Sequence, residues 1–88
     1  MLSTTAEYAL RIMVVLAEAR GEPRTSECIA GLTAVPTDYS VKVLQMLARS
    51  GLVRAQRGRG GGFRLACDPE FTTLLDVINA IEPIKRMK

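Results

Sequence analysis

A chain of 88 residues can form one small domain with a modest core, and its 48% hydrophobic and 24% charged residues are an ordinary globular mixture that argues against disorder. No apolar run reaches the roughly 18 residues that span a membrane, and no signal-peptide pattern is present, so we expect one cytoplasmic domain over residues 1–88. With a net charge of only +3, no histidine, no patterned pair of carboxylates and two cysteines that lack C-x-x-C partners, the chain offers neither an enzyme's catalytic site nor a metal site.

Two helices are predicted in the first half of the chain. The first covers Thr5–Arg20, begins at a threonine cap and is apolar around most of its circumference. A helix of this kind belongs in the middle of a fold. The second helix begins at Thr25 and is expected to turn Ile29 and Leu32 towards the core.

The third predicted helix is the clearest, because Pro36 breaks the chain before it, Thr37 can cap it and Gly51 ends it. Its buried stripe is expected to consist of Tyr39, Val43, Met46 and Leu47. The opposite stripe has long, hydrogen-bonding and mostly cationic side chains, and it consists of Asp38, Lys42, Gln45 and Arg49, with Val41 beside it.

After this helix the spacing of the apolar residues is no longer helical. The segments LVRAQ, residues 52–56, and GFRLA, residues 62–66, flank a glycine-rich turn in the manner of a β-hairpin, and Asp68 with Pro69 ends the second strand. TTLLDVINAIE then predicts a last helix that is capped by Thr72 or Thr73. Its apolar face is expected to consist of Leu74, Val77, Ile78 and Ile81.

The order helix, helix, helix, hairpin, helix indicates a mainly α fold with a small β-hairpin, the winged helix-turn-helix. In that architecture the third helix is the recognition helix, which enters the DNA major groove, and the two-stranded hairpin is the wing beside it.

The positive charges are concentrated in one segment. Residues 39–67 contain no acid, although they contain six cationic side chains, Lys42, Arg49, Arg54, Arg57, Arg59 and Arg64. A segment whose charged residues are all positive, in a protein with a small net charge, favours a polyanionic partner. Solubility alone would be served equally well by dispersed charges. A solvated basic loop is the plainer alternative.

The stretch RAQRGRGGGFRL, residues 54–65, has three interpretations. A phosphate cradle requires G-x-G-x-x-G or G-x-x-x-x-G-K-[ST] before a helix, and this stretch matches neither and leads into a strand. A linker would join two domains. A wing explains the composition, because glycines allow positive φ and close approach to a sugar-phosphate backbone, while arginines bind phosphates or enter a narrow minor groove.

Four motifs, EYALRIMVVLA, GLV, RGRGGGFRLA and DVINAIE, resemble the Rrf2 family of bacterial winged-helix transcriptional regulators, and the wing motif is the most specific of them. The resemblance implies base contacts from Asp38, Val41 and Lys42, Tyr39 near the DNA backbone, and Arg57 beside Gly58 in the minor groove. It also implies a homodimer on a two-fold symmetric double-stranded DNA operator.

Relatives in this family continue into a loop, which in one branch holds three cysteines for an iron-sulfur cluster, and then into a long dimerisation helix. We therefore expect residues 1–88 to be a DNA-binding domain that ends before that helix. We expect no cofactor in this chain, since Cys28 and Cys67 do not match the cluster-ligand positions and a cluster would require cysteines after Lys88. Ala34 and Ser40 stand where relatives usually have glycine and leucine.

The sequence thus predicts a sequence-specific DNA-binding regulator, in which Lys42 and Gln45 contact base edges, Arg57 enters the minor groove, and phosphates are bound by Arg49, Arg54, Arg59 and Arg64. Two alternatives stay open. One is a winged helix for protein contact or self-association, with the wing as an edge for strand addition. The other is a thiol switch on Cys28 and Cys67, whose plainer interpretation is two small buried hydrophobic residues.

Overall fold

The computed structural model describes residues 3–82, and these form the predicted winged helix-turn-helix. The elements in chain order are α1 (Thr4–Glu18), α2 (Ser26–Thr33), α3 (Thr37–Arg49), β1 (Val53–Gln56), β2 (Gly62–Leu65), a 3₁₀ turn (Pro69–Phe71) and α4 (Leu74–Ile81). None of the helices in this part of the chain has the length and apolar character needed to cross a membrane.

Helix α1 lies at the centre of the fold, as its apolar circumference predicts. It contacts α2, α3, α4 and β2. Its Ile12 and Leu16 are fully buried, and they form one core with residues from every other helix and from the hairpin. The core members contributed by those elements are Ile29, Val43, Leu44, Leu47, Val53 and Val77.

Hydrogen bonds from side chains fix three helix starts. Ser3 caps α1, one residue before the predicted threonine, and its Oγ accepts from the Ala6 N–H at 3.1 Å. Thr25, predicted as the start of α2, is its cap, and the helix begins one residue later at Ser26. Thr73 caps α4 and exchanges reciprocal hydrogen bonds with Asp76, which is a capping box. Helix α3 has no side-chain cap, because Thr37 is already its first helical residue, so the prediction of a Thr37 cap was wrong.

The buried faces of α2 and α3 differ from the predicted ones. Leu32 is 63% exposed, because the inward face of α2 runs through Ile29, Ala30 and Thr33. In α3 the buried stripe is rotated by one residue relative to the prediction: Val43 and Leu47 are buried as expected, Tyr39 and Met46 lie at the edge, and the remaining buried positions are Ser40 and Leu44. In α4, only Val77 is fully inward, and Leu74 is 59% exposed.

The end of α2 and the first turn of α3 each contain one unusual residue. Ala34 has φ 59° and ψ 31°, the left-handed conformation that glycine adopts most readily. Ser40 is completely buried, and its Oγ has no hydrogen-bond partner among the described residues. These are the two positions at which the family resemblance implies glycine and leucine.

Strands β1 and β2 are antiparallel, with Val53 opposite Leu65, Arg54 opposite Arg64, and Ala55 opposite Phe63. Val53 is buried, and Phe63 and Leu65 pack against the core. Because side chains alternate along a strand, Arg54 and Arg64 lie on the hairpin face that is turned away from the core. The hairpin is therefore apolar on one face and cationic on the other.

A backbone pairing that the sequence did not indicate attaches the hairpin to the segment before α2. The Arg24 N–H donates to the Phe63 carbonyl at 2.9 Å, and the Phe63 N–H donates to the Arg24 carbonyl at 2.8 Å. Gly62 has φ +143°, and a Cβ there would overlap the Arg24 carbonyl. Gly61 similarly leaves no room for a Cβ beside the Gln56 carbonyl. These two glycines are required by the protein's own backbone, which is a different reason from the predicted approach to DNA.

Candidate nucleic-acid interface

Helix α3 presents an exposed polar stripe, here called the recognition stripe, of Asp38, Lys42, Gln45 and Arg49. At about 100° per residue these side chains fall within roughly 60° of arc, and they extend over about 16 Å of helix. Val41 lies beside the stripe and is half-buried. The stripe points outward because the opposite side of α3 packs into the core through Val43, Leu44 and Leu47.

The hairpin tip projects two arginines, Arg57 and Arg59, which are both exposed. The turn closes through a 2.9 Å hydrogen bond from the Gly61 N–H to the Gly58 carbonyl. Gly58 and Gly60 have φ of +93° and +72°, and no atom lies within 4 Å of where a Cβ would be. The tip therefore needs glycine for its backbone conformation, while the space around it is open.

Arg54 and Arg64 lie along the strands and not at the tip. Arg54 is exposed, whereas Arg64 is half-buried. The Arg64 Nε is a buried atom without a hydrogen-bond partner in the described part of the chain.

The cations of α3 and the hairpin are not neutralised by the fold. In residues 3–82 no carboxylate oxygen lies within 4.0 Å of a basic nitrogen. Residues 39–67 contain no acid, so Asp38 is the one carboxylate in the recognition stripe. This side of the molecule therefore carries a net positive field.

Tyr39 takes part in a network that joins α1 to both helices of the helix-turn-helix. Its hydroxyl forms a hydrogen bond with the Thr5 Oγ1, and its ring meets the Tyr8 ring edge-on at a centroid separation of 5.2 Å. The Arg11 guanidinium lies 5.5 Å from the Tyr8 ring centroid, and its Nη1 donates to the Thr33 carbonyl at the end of α2.

The sequence prediction missed the positioning role of this network. The signal that could have found it is a tyrosine and an arginine three residues apart, Tyr8 and Arg11, which interrupt an otherwise apolar helix. Tyr39, which the prediction placed near the DNA backbone, is 36% exposed and makes its hydrogen bond within the protein.

Strand addition has limited room on this hairpin. One side of β2 pairs with β1, and the other is occupied at Phe63 by the isolated bridge to Arg24, so in the described residues the longer unpaired edge is that of β1. That edge is four residues long and carries Arg54. Charged side chains on a short edge strand discourage pairing with another strand.

The two cysteines are both free thiols and lie in different elements of the fold. Cys28 is exposed in the first turn of α2, whereas Cys67 is half-buried after β2, where its sulfur lies 3.1 Å from the Thr72 Oγ1. The expectation that both are small buried residues is therefore wrong for Cys28.

The chain matches a known family along almost its whole length. Residues 2–87 match the family model named Rrf2 and described as an iron-dependent transcriptional regulator. Among characterised proteins, the chain is 35% identical over 82 residues to the HTH-type transcriptional regulator NsrR of Bacillus subtilis, covering 92% of this chain and 56% of that protein. CymR of the same bacterium matches at the same identity, with 59% of its length covered. The chain thus spans about half the length of the curated relatives it matches.

Solved structures of such regulators have the same fold. The structure of T. potens IscR superposes with a TM-score of 0.86 at 28% identity, covering 100% of this chain and 65% of that one. The structure of CymR, described as the global cysteine regulator of B. subtilis, gives 0.86 at 29% identity and is covered to 72%. These relatives are regulators, which confirms the prediction that the chain is not an enzyme.

The family description mentions iron, but the described residues do not fit an iron site. No group of three or more His, Cys, Asp and Glu side chains in residues 3–82 is arranged to hold a metal ion. Cys28 and Cys67 lie in separate elements. We therefore assign no part of this domain's chemistry to iron or to an iron-sulfur cluster.

Proposed function

Because the chain belongs to the Rrf2 family of transcriptional regulators, we propose that it binds double-stranded DNA with α3 in the major groove and the wing in the adjacent minor groove. The observation that carries this proposal is the cationic side of the molecule. Exposed cations of α3 and of the hairpin lie in a segment without acids, and no ion pair within residues 3–82 neutralises them.

Two members of the recognition stripe have a sufficient explanation within the helix itself. Asp38 lies in the first turn of α3 and Arg49 in its last turn, where each complements the helix dipole. Lys42 and Gln45 have no such explanation, because they lie in the middle of α3. We therefore assign them to the specific contacts.

Each residue type on this face has a suitable base edge. Lysine donates to the O6 and N7 atoms of guanine, and glutamine pairs with the N6 and N7 atoms of adenine. Asp38 can accept from the N4 of cytosine, and Val41 can contact the methyl group of thymine. Arg49 is placed at a phosphate, with Tyr39 near the DNA backbone.

The wing supplies the second set of contacts. Arg57 lies at the tip beside Gly58, and we place it in the minor groove, where a narrow A-tract has the most negative potential. Arg59, Arg54 and Arg64 are placed on phosphates, which position the protein without reading sequence.

We further infer that the regulator acts as a homodimer on a two-fold symmetric operator. An apolar face supports this inference, because exposed contiguous apolar surface indicates a protein contact. This face surrounds a cavity of about 290 Å³ between α1 and α4, whose lining includes the exposed Val14 and Leu74. Phe71 and Leu75, which neighbour lining residues in the chain, are exposed as well.

The proposal is tested by removing the tip arginine. Duplexes are first selected from a random library by the unchanged protein, and affinities for the selected duplex are then measured by fluorescence anisotropy. We expect Arg57→Ala to weaken binding by about 1 to 3 kcal/mol when the site contains an A-tract. Arg20→Ala is the matched control, because Arg20 is also exposed but lies outside the cationic segment.

Two results would contradict the proposal at different levels. Failure of the unchanged protein to bind any duplex would refute DNA binding. An unchanged affinity for Arg57→Ala would remove Arg57 from the site and leave the remaining contacts standing.

A further inference from the structure

Two arginines face each other across the hairpin. Arg54 and Arg64 are paired in the strand register. Two residue pairs further along the ladder from this pair, the Ala66 N–H donates to the Leu52 carbonyl at 3.0 Å. Because pair types alternate in an antiparallel ladder, Arg54 and Arg64 also form a hydrogen-bonded pair, with Cα atoms about 5.5 Å apart. Both side chains start from the face that is turned away from the core.

This arrangement is unfavourable for the free protein. Like charges directly opposite each other on a sheet are destabilising. No carboxylate in residues 3–82 lies within 4.0 Å of either guanidinium. The buried Arg64 Nε also lacks a hydrogen-bond partner in that part of the chain, and an unpaired buried donor costs free energy. Two uncompensated costs thus fall on the same pair of residues.

We propose that Arg54 and Arg64 form a single anion site that takes one phosphate group, namely a phosphodiester of the DNA backbone. This inference rests on the proposed function, which supplies the phosphodiester. A guanidinium presents its N–H donors as a planar fork that matches phosphate oxygens. One phosphate between the two forks offsets their repulsion.

A shared phosphate differs measurably from two independent contacts. With two independent contacts, the losses from Arg54→Gln and Arg64→Gln multiply in the double variant. With a shared phosphate, either substitution dismantles the site, so the second one adds little. Arg59→Gln is the matched control, because it removes the same charge from the tip, and the tip residue Arg59 has no arginine opposite it in the strand register.

The first measurement is duplex affinity in a double-mutant cycle. We expect Arg54→Gln and Arg64→Gln each to weaken binding about tenfold, and the double variant to weaken it less than about twofold further. The control pair Arg54→Gln with Arg59→Gln should be multiplicative. A multiplicative loss for Arg54 with Arg64 would overturn the shared site.

The second measurement uses no DNA. Because each substitution relieves repulsion, Arg54→Gln and Arg64→Gln should raise the thermal midpoint by roughly 1 to 5 °C, while Arg59→Gln should leave it unchanged. Inorganic phosphate should raise the midpoint of the unchanged protein above that in chloride of equal ionic strength, and this excess should be clearly smaller in Arg54→Gln, where only the general effect of a kosmotropic ion remains. Equal phosphate effects in both proteins would overturn the site.

The two measurements separate the failure of this site from the failure of the proposed function. Absence of duplex binding together with the phosphate-specific stabilisation would refute the DNA-binding proposal and assign the site to free phosphate. Duplex binding with independent arginines would refute the shared site alone.

Discussion

Ala34 holds a left-handed backbone conformation at the end of α2, which costs an L-residue free energy that glycine does not pay. Its place in the fold is fixed by both neighbouring helices, because Ala34 is the cap at the end of α2 and Pro36 is the cap at the start of α3. The N–H groups of Ala34 and Val35 both donate to the Ala30 carbonyl, which closes the helix end. The strain is therefore local to one residue of the helix-turn-helix.

We expect Ala34→Gly to raise the free energy of unfolding by about 0.5 to 1 kcal/mol, because the relief of strain exceeds the added entropy of the unfolded chain. Thermal or chemical unfolding followed by circular dichroism measures this. Ala48→Gly in the last turn of α3 is the opposite control and should lower stability by up to about 1 kcal/mol. A destabilising Ala34→Gly would show that Ala34 is not strained.

Ser40 and Thr33 are the two buried hydroxyl residues of the same turn region, and they differ in one respect. The Thr33 Oγ1 donates to the Ile29 carbonyl at 2.7 Å, whereas the Ser40 Oγ has no partner in the described residues. We expect Ser40→Ala to stabilise the fold by about 1 kcal/mol, and Thr33→Val to destabilise it by a similar amount. Urea unfolding of both variants checks the pair. Equal losses in both would mean that the Ser40 hydroxyl is satisfied in solution.

The wing is attached to the rest of the molecule at a second point besides its own strands. The pairing of Arg24 with Phe63 joins β2 to the segment that leads into α2, and only glycine at position 62 leaves room for it. The orientation of the wing relative to the helix-turn-helix is thus fixed by backbone hydrogen bonds.

Gly62→Ala should therefore lower stability by about 2 to 4 kcal/mol, since it combines a steric overlap with an unfavourable φ. Gly60→Ala is the control, because Gly60 also has positive φ but faces open space, and it should cost about 1 kcal/mol. Hydrogen exchange at the Arg24 and Phe63 amides should accelerate in Gly62→Ala only. Similar stabilities of the two variants would show that the attachment contributes little.

The elements that could be predicted from the sequence are those with local signals. Prolines, glycines and helical periodicity placed all four helices and both strands within about two residues. The pairing of Arg24 with Phe63 has no local signal, because the two residues lie far apart in the chain. The inward face of α2 was mispredicted because a helix of eight residues shows its period only about twice. In α3, the predicted buried stripe included Tyr39 and Met46 because they are larger and more apolar than Ser40. Ser40 is nonetheless the buried residue.

At the scale of the whole molecule, the charges serve binding more than folding. The described residues form no ion pair, and the core is built from aliphatic side chains. Folding should therefore tolerate salt that weakens the attraction to DNA.

If about five cations per chain neutralise phosphates, the logarithm of duplex affinity should fall against the logarithm of salt concentration with a slope of about 4 to 5 per chain. The thermal midpoint, measured in the same salt series with chloride as the anion, should not fall, and it should rise by a few degrees as the repulsion between Arg54 and Arg64 is screened. An affinity that does not change with salt would contradict the electrostatic basis of the proposed interface.

The candidate site was predictable to the extent that charge and periodicity decide exposure. The recognition stripe is exposed on one side of α3, and Arg57 lies at the wing tip, as the pattern indicates. The cross-strand pair of Arg54 and Arg64 requires the strand register, and the network of Thr5, Tyr8, Arg11 and Tyr39 requires the packing of α1 on α3. Neither is contained in the spacing of residues along the chain.

The four glycines of the wing divide into two kinds, and the division bears on how regulators of this type diverge. Gly61 and Gly62 are enclosed by the protein's own backbone, so a change there is selected against whatever DNA is bound. Gly58 and Gly60, with Arg57 and Arg59 beside them, face open space, so their replacement costs little beyond backbone strain. If the tip contacts DNA as proposed, single substitutions there would change operator preference, while the base of the wing would tolerate few changes.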